Sequence, residues 1–331
     1  MSGASPAVVT FGEALLRLTP AAGQRLRNAH TLNLHVGGAE ANVAAGLSSL
    51  GVRTRWFSRL PHGELGQRVL GELTAAGVDT SFVLRAEGRL GTYYLEEGSG
   101  PRPAEVTYDR AGSAFASIQS SDVQSALSAG MLTGAAAVVT SGITLALGPA
   151  PRVAAQALFD AAGESLRVID LNYRRNLATP EEMVDVAAPF LAQADLVFGA
   201  ERDVSQLYGG PAGLRRAAPN AELVITQGAA GASAYLADVD PIHGQPVTRA
   251  ALPVGTAGRI GRGDAFVAGY LAKVMERPGG GTAKDPAEAL TALDWGVACA
   301  SLKSTWPGDL PVLSAQAVSQ LLAGGGSDVN R

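Results

Sequence analysis

The residues best suited to chemistry are Gly261-Arg262-Gly263-Asp264-Ala265-Phe266. Two glycines leave backbone N–H groups uncovered, and an aspartate follows at once. The apolar Val267-Ala268-Gly269-Tyr270-Leu271 behind it has helical length and spacing, so Asp264 should lie at a helix N-terminus. Bare amides and the positive end of a helix hold the negative charge of a phosphate, while a carboxylate beside them takes a proton from an attacking alcohol. That combination suits phosphoryl transfer. Read as structure alone, Asp264 is simply the cap of the following helix, so the rest of the chain must decide.

Three other constellations bear on the choice. Gly37-Gly38 opens an amphipathic stretch, Ala39 to Leu47, that stops at Gly51; Asn42 lies one helical turn past Gly38 and suits an amide reaching a ligand held against glycine backbone. Its structural alternative is a helix-surface amide. Asp170-Leu171-Asn172-Tyr173-Arg174-Arg175 follows a Val168-Ile169 strand, where open α/β folds place ligands. Arg174 or Arg175 there could bind a carboxylate or phosphate through paired charge-assisted hydrogen bonds, worth about 1.5 to 3 kcal/mol, with surface ion pairing as the alternative. Tyr93, Tyr108 and Arg110 lie on strand-like segments, with Tyr108 and Arg110 on one face. Aromatic rings beside an arginine suit a small polyhydroxylated acid, although strand tyrosines ordinarily pack.

The elements that must carry these residues follow two rhythms. From about Ala135 short apolar runs alternate with helical stretches: Ala136 to Val139, a helix to Ala162, Val168-Ile169, a helix from Pro180 to Leu191, Leu196 to Phe198, and Leu223 to Ile225. This predicts βαβ units with a buried, mostly parallel sheet covered by helices on both faces. Thr179-Pro180-Glu181-Glu182 marks one helix start, with a capping threonine, proline at the first helical position and glutamate at the third. In the first third, Leu32 to Val36, Gly91 to Glu96 and Glu105 to Arg110 read as strands, the last two without a long helix between them. Small antiparallel pieces of this kind inserted in an α/β core often form a lid. The expected organisation is one domain over 1–331, lid strands inserted at about 13–38 and 88–112, and a frayed tail over 324–331.

Composition excludes several classes. With 331 residues and 47% hydrophobic content the chain can bury a large core, and a net charge of −4 without long single-sign runs argues against nucleic acid or anionic membrane as a main partner. One cysteine, Cys299, rules out an intrachain disulfide framework, and His30, His35, His62 and His243 lack zinc-ligand spacing. The first twenty residues lack a basic segment and carry Glu13 within the apolar stretch, so the expectation is a cytoplasmic protein. The apolar window Gly134 to Leu147 is broken by Thr140, Ser141, Gly142 and Thr144, against a membrane span. There is no G-x-x-x-x-G-K-[ST] loop, nucleophile elbow, H-E-x-x-H, C-x-x-C or dinucleotide-binding G-x-G-x-x-G.

Together, Gly37-Gly38-Ala39-Glu40-Ala41-Asn42-Val43-Ala44 and Gly261-Arg262-Gly263-Asp264-Ala265-Phe266 resemble the two signatures of the ribokinase/PfkB carbohydrate kinases, over nearly the whole chain from Phe11-Gly12-Glu13 to about Leu321. The glycine pair with Ala-Glu-Ala-Asn, Tyr108-Asp109-Arg110 before Gly112-Ser113-Ala114, Asn172-Tyr173-Arg174 and Pro307-Gly308-Asp309 look most like 2-keto-3-deoxygluconate kinases. The resemblance implies a ribokinase-like fold and phosphorylation of a sugar acid's terminal hydroxyl by ATP with Mg²⁺. It implies Asp264 as catalytic base and the amides of Gly261, Arg262 and Gly263 as the anion hole. Gly38, Asn42, Tyr93, Tyr108, Arg110, Arg174 and Asp309 would hold the sugar acid. Asn172, Arg174, Thr226, Gly228, Gly231, Gly261 and Gly263 would serve the nucleotide. A turn between two strands is the plain reading of Thr226 to Gly231.

Three positions depart from the family pattern. Arg262 stands where alanine is usual, adding a charge near the phosphates. Gly258 replaces an aspartate associated with a monovalent-cation site, so potassium activation is not implied. The N-x-x-E element linked to magnesium falls at Ala200-Glu201-Arg202-Asp203, leaving Glu201 and Asp203 as candidate metal contacts. Rival readings are a kinase for fructose, ribose or 2-keto-3-deoxygalactonate, and a binding protein without catalysis. An adhesion role for Arg262-Gly263-Asp264 would need secretion. Exposed edges of the lid predict a homo-oligomer formed through it.

Overall fold

The computed structural model describes residues 6–98, 101–237, 244–253, 258, 260–277 and 281–324. The expected frayed tail lies beyond them from 325 onward, as does His243. In chain order the strands are β1 (Ala7–Phe11), β2 (Leu15–Thr19), β3 (Asn33–Gly37), β4 (Arg53–Phe57), β5 (Arg59–Pro61), β6 (Leu84–Ala86), β7 (Gly91–Glu96), β8 (Glu105–Asp109), β9 (Ala135–Ser141), β10 (Leu166–Asp170), β11 (Leu196–Ala200), β12 (Glu222–Thr226), β13 (Ala232–Tyr235) and β14 (Val247–Arg249).

Eight of them form one sheet in the order β14-β13-β12-β11-β10-β9-β1-β4. From β12 to β4 every pairing is parallel; the β12–β13 and β13–β14 pairings are antiparallel, so β13 alone runs against the rest. The apolar runs of the sequence explain this layer. Successive strand residues face opposite sides, so Val9, Val138, Ile169, Val197 and Leu223 feed one core while Val8, Val139, Val168, Leu196 and Val224 feed the other. Helices cover both faces. The Arg262–Glu276 and Pro286–Lys303 helices pack on the second core, and the Pro149–Asp160 and Pro180–Leu191 helices on the first.

A separate four-stranded sheet has the order β3-β2-β7-β8. The expectation of small antiparallel pieces needs correction here, because β2 and β7 pair in parallel. Between them the chain leaves this sheet, passes through the Ala39–Ser49 helix and β4, and returns before β7, a crossover long enough for parallel pairing. The helix expected to continue to Ala162 is in fact two, Gly142–Ala146 and Pro149–Asp160. Gly148, at φ 134°, and Pro149 at the first position of the second helix make the break.

The Pro180–Leu191 helix has the start its sequence specifies. Thr179 Oγ1 accepts from Glu182 N at 3.2 Å, and Glu182 Oε2 accepts from Thr179 N at 2.8 Å. Replacing Thr179 with Ala should lower unfolding free energy by about 1 kcal/mol. A shift of the urea midpoint at unchanged denaturant slope would register this, and an unshifted midpoint would contradict it.

Candidate active site

The carboxyl ends of β10, β11 and β12 finish at Asp170, Ala200 and Thr226, and all three residues line one cavity of about 310 Å³. The glycine turn enters from the other side. Gly261, at φ 76°, is the residue that precedes the Arg262–Glu276 helix, and Ala265 N donates to its carbonyl at 2.9 Å. A side chain at Gly261 would bring Cβ to 2.1 Å from the Asp309 carbonyl oxygen, so both its φ and its surroundings require glycine. The N–H groups of Arg262, Gly263 and Asp264, in the first turn, have no intrahelical acceptor.

Asp264 is therefore not the cap. It is the third residue of the helix, no side chain caps that end, and its carboxylate accepts from Asn42 Nδ2 at 2.6 Å. The capping reading fails because the αL glycine already turns the chain into the helix. Asn42 is supplied by the Ala39–Ser49 helix, which starts from Gly38 at φ 152°; a Cβ there would meet the Glu13 carbonyl oxygen at 2.3 Å. Asn42 Oδ1 is buried without a hydrogen-bond partner. In a cavity wall, that orphaned acceptor suits a ligand hydroxyl.

The remaining residues singled out in the sequence converge unevenly. Gly38, Asn42, Tyr93, Tyr108, Arg110, Asn172, Arg174, Thr226 and Asp309 line this cavity together with Asp264 and the glycine turn. Arg174 lines it, whereas Arg175 is exposed and does not. Asn172 makes the turn at the end of β10 with φ 37°. Asp203 is buried and lines the cavity, but Glu201 is exposed, does not, and accepts from Gln227 Nε2. Gly228 and Gly231 lie elsewhere. With Thr226, Arg262 and Gly263 they line a second cavity of about 490 Å³, floored by Phe266, Val297 and Ala300. The Thr226 to Gly231 segment is a strand-to-strand turn, joining β12 to the antiparallel β13, and it also walls this cavity. Thr226, Arg262 and Gly263 belong to both cavities, which places these residues at their junction.

Two charges expected to face a ligand are already paired. Arg110 donates through Nε to Glu13 Oε2 at 2.9 Å and again through Nη2, while the Ser113 hydroxyl donates to Glu13 Oε1. Its guanidinium lies 5.6 Å from the centre of the Tyr108 ring. Asp309 accepts from Arg17 Nε at 2.6 Å and from the Tyr93 hydroxyl, and both Arg17 and Asp309 are fully buried. By contrast, Arg174 makes no ion pair among the described residues; its one hydrogen bond goes to the Tyr173 carbonyl at 3.2 Å.

Sequence reasoning missed Glu13 and Arg17 as site residues, and Asp170 as more than a strand end. A charged residue inside the apolar runs Gly12 to Leu16 and Leu15 to Leu18 was the available signal. Two acids of the cavity, Asp264 and Asp170, have raised pKa values. Burial, above all, raises Asp264 to about 7, with Glu40 and Asp309 adding to the rise and the Asn42 hydrogen bond and Arg174 opposing it. Burial and the charge of Asp264 push Asp170 up to about 8, against Arg174. A carboxylate poised near neutrality beside uncovered amides can accept a proton from an alcohol.

The model of the pfkB family carbohydrate kinases matches residues 5–313. The chain belongs to this family. It is 36% identical over 333 residues to a 2-dehydro-3-deoxygalactonokinase of Haloferax volcanii, covering 98% of this chain and 99% of the relative. Its fold is similar to the crystal structure of 2-dehydro-3-deoxygluconokinase from Thermotoga maritima, with a TM-score of 0.84 at 29% identity over 97% of this chain and 99% of that one. A sugar kinase of Pyrococcus horikoshii, solved in complex with ATP, shares the fold at 22% identity, with a TM-score of 0.78 over 93% of this chain and 96% of its own. Both cavities thus lie in a carbohydrate kinase.

Asp264→Asn should reduce kcat about 10²-fold or more with an unchanged melting temperature, since loss of a general base typically costs 10² to 10⁴. Normal turnover in that variant would remove Asp264 from the chemistry. The raised carboxyl keeps its proton below about pH 7, so kcat/KM should fall as pH drops through that value. A profile flat down to pH 5 would contradict the assignment.

Proposed function

We propose that this kinase transfers the γ-phosphoryl group of ATP to the terminal hydroxyl of 2-keto-3-deoxygluconate. The observation that carries this reading is the Arg174 guanidinium, which makes no close ion pair among the described residues and lies in the same cavity as Asp264 and Asp170, whose charges it feels. Neutral sugars have no use for such a charge, whereas the carboxylate of a sugar acid supplies its partner. Tyr93 and Tyr108, opposite one another on β7 and β8, pack ring against ring and line the cavity, offering apolar surface to the carbon chain of the acid. Relatives named for the gluconate and galactonate acids support the same substrate class.

In this reading the nucleotide takes the second cavity and the sugar acid the first, with transfer at their junction beside Arg262 and Gly263. Alcohols are too weakly acidic to ionise beforehand, so Asp264 accepts the proton late, as the new bond to phosphorus forms. Asn42 holds the carboxylate in line, and the first-turn amides with Arg262 neutralise the moving phosphoryl group. Asp203, a buried hard-oxygen donor in the cavity wall, fits a Mg²⁺ that arrives with the phosphates, which supply most of its ligands and whose charge it offsets. The paired Arg110 shapes the substrate pocket with Tyr108 and Glu13, and Arg174 carries the binding charge.

The Haloferax relative favours a second reading, the galactonate epimer. ADP release with both acids, fructose and ribose separates the possibilities, and a preference for either neutral sugar would defeat the sugar-acid reading. Arg174→Ala should raise KM for the acid by roughly 10- to 100-fold, the equivalent of one charge-assisted pair. The KM for ATP should move much less, and an equal rise in both would place Arg174 on the phosphates instead.

A further inference from the structure

Lys303 ends the Pro286–Lys303 helix and is completely buried. Lysine at such depth is costly unless its ammonium is hydrogen-bonded or paired. Here Nζ donates to the carbonyl oxygens of Gly308 at 2.9 Å and Trp306 at 3.3 Å, and lies 5.3 Å from the centre of the Trp306 ring. Burial lowers its pKa from the ordinary lysine value, with Arg17 adding to the fall and Asp309 and Asp264 opposing it. The phosphoryl-transfer steps above make no use of this cation.

Its position is informative. The turn it holds, from Ser304 to Asp309, rests on the glycines that lead into the Arg262–Glu276 helix: Gly258 N donates to the Ser304 carbonyl at 3.2 Å. A Cβ on Gly261 would lie 3.3 Å from Lys303 Cε and 2.1 Å from the Asp309 carbonyl oxygen, so the lysine stem and the turn press directly on the residue that aims the anion-binding amides. The same turn delivers the Asp309 side chain to the substrate cavity, where Arg17 and Tyr93 hold it. One ammonium therefore fixes both the start of the catalytic helix and one wall of the pocket.

The geometry points to Lys303 as a positioning residue for phosphoryl transfer, its ammonium serving as a tethered monovalent cation within the carbonyls of the Trp306 to Asp309 turn. A single positive charge ligated by backbone carbonyls is what a free potassium or ammonium ion would supply in the same turn. Tethering it to the chain removes any dependence on the salt around the enzyme. It also places an ammonium group next to Gly261, where the negative phosphoryl group is received. This inference rests on the kinase assignment and not on which sugar acid is the substrate. The rate can be read with whichever acceptor turns over fastest, so a wrong acceptor leaves the test intact.

The wild-type enzyme should reach its full rate in buffers whose monovalent cation is tetramethylammonium, with no gain from added potassium. Lys303→Met keeps the apolar stem and removes the charge. Its kcat should fall roughly 10- to 100-fold, the scale of a misplaced or missing electrostatic partner, with little change in sugar KM. Potassium or ammonium, but not tetramethylammonium, should restore part of the loss. A wild-type enzyme that requires added potassium would overturn the proposal. So would an unchanged kcat in Lys303→Met, or a folded variant, judged by its melting temperature, whose lost rate no small cation restores. Should Lys303→Met fail to fold, the wild-type comparison decides alone.

Discussion

The hydrogen bond from Asn42 to Asp264, 2.6 Å long and spanning 222 positions of sequence, is the contact on which the rest of the site depends. It joins the Ala39–Ser49 helix to the Arg262–Glu276 helix and orients the carboxylate proposed as the base. Helix packing sets its length. At Gly46 a Cβ would stand 2.6 Å from the Ala268 Cβ, so only a glycine there allows the two helices to approach this closely. Asp264 is there partly withdrawn from water, and this desolvation raises its pKa toward the range in which a carboxylate serves as a base at neutral pH. Packing, orientation and acidity thus follow from one arrangement.

Around that bond the charges divide into those satisfied internally and those left for ligands. Glu13 with Arg110, and Asp309 with Arg17, form buried pairs whose members also bond Ser113 and Tyr93. Such pairs add little net stability, yet each fixes two side chains in place, which preorganises the wall of the cavity. Arg174 and the first-turn amides remain for negative groups of the substrates. On the proposed reading, the cavity has a direction, with the hydroxyl end of a substrate at Asp264 and its acid end at Arg174.

Much of the frame was legible because the βαβ rhythm is written in local apolar periodicity. The Pro180–Leu191 helix begins and ends as expected, and Gly91–Glu96 forms a strand with the bounds read from its alternation. The glycine turns were legible too, since a tight approach or a positive φ leaves few alternatives at Gly38 and Gly261. Partner choice was hidden. Nothing local to Arg110 announces Glu13, 97 positions away, and nothing local to Asp309 announces Arg17, 292 positions away. The parallel pairing of β2 with β7 and the placement of Lys303 under Gly261 likewise depend on where distant segments meet. Asp264 lies in the first turn as expected, but the cap alternative fails because the αL glycine at 261 takes the cap position, three residues before the carboxylate.

A crystal structure of the enzyme with 2-keto-3-deoxygluconate and a non-hydrolysable ATP analogue tests the direction of the cavity most immediately. The account predicts the terminal hydroxyl within hydrogen-bond distance of Asp264, the carboxylate on Arg174, and the γ-phosphate between them and the Thr226 to Gly231 turn, beside Arg262. A sugar acid bound in the reverse sense, with its carboxylate away from Arg174 and no hydroxyl at Asp264, would contradict it.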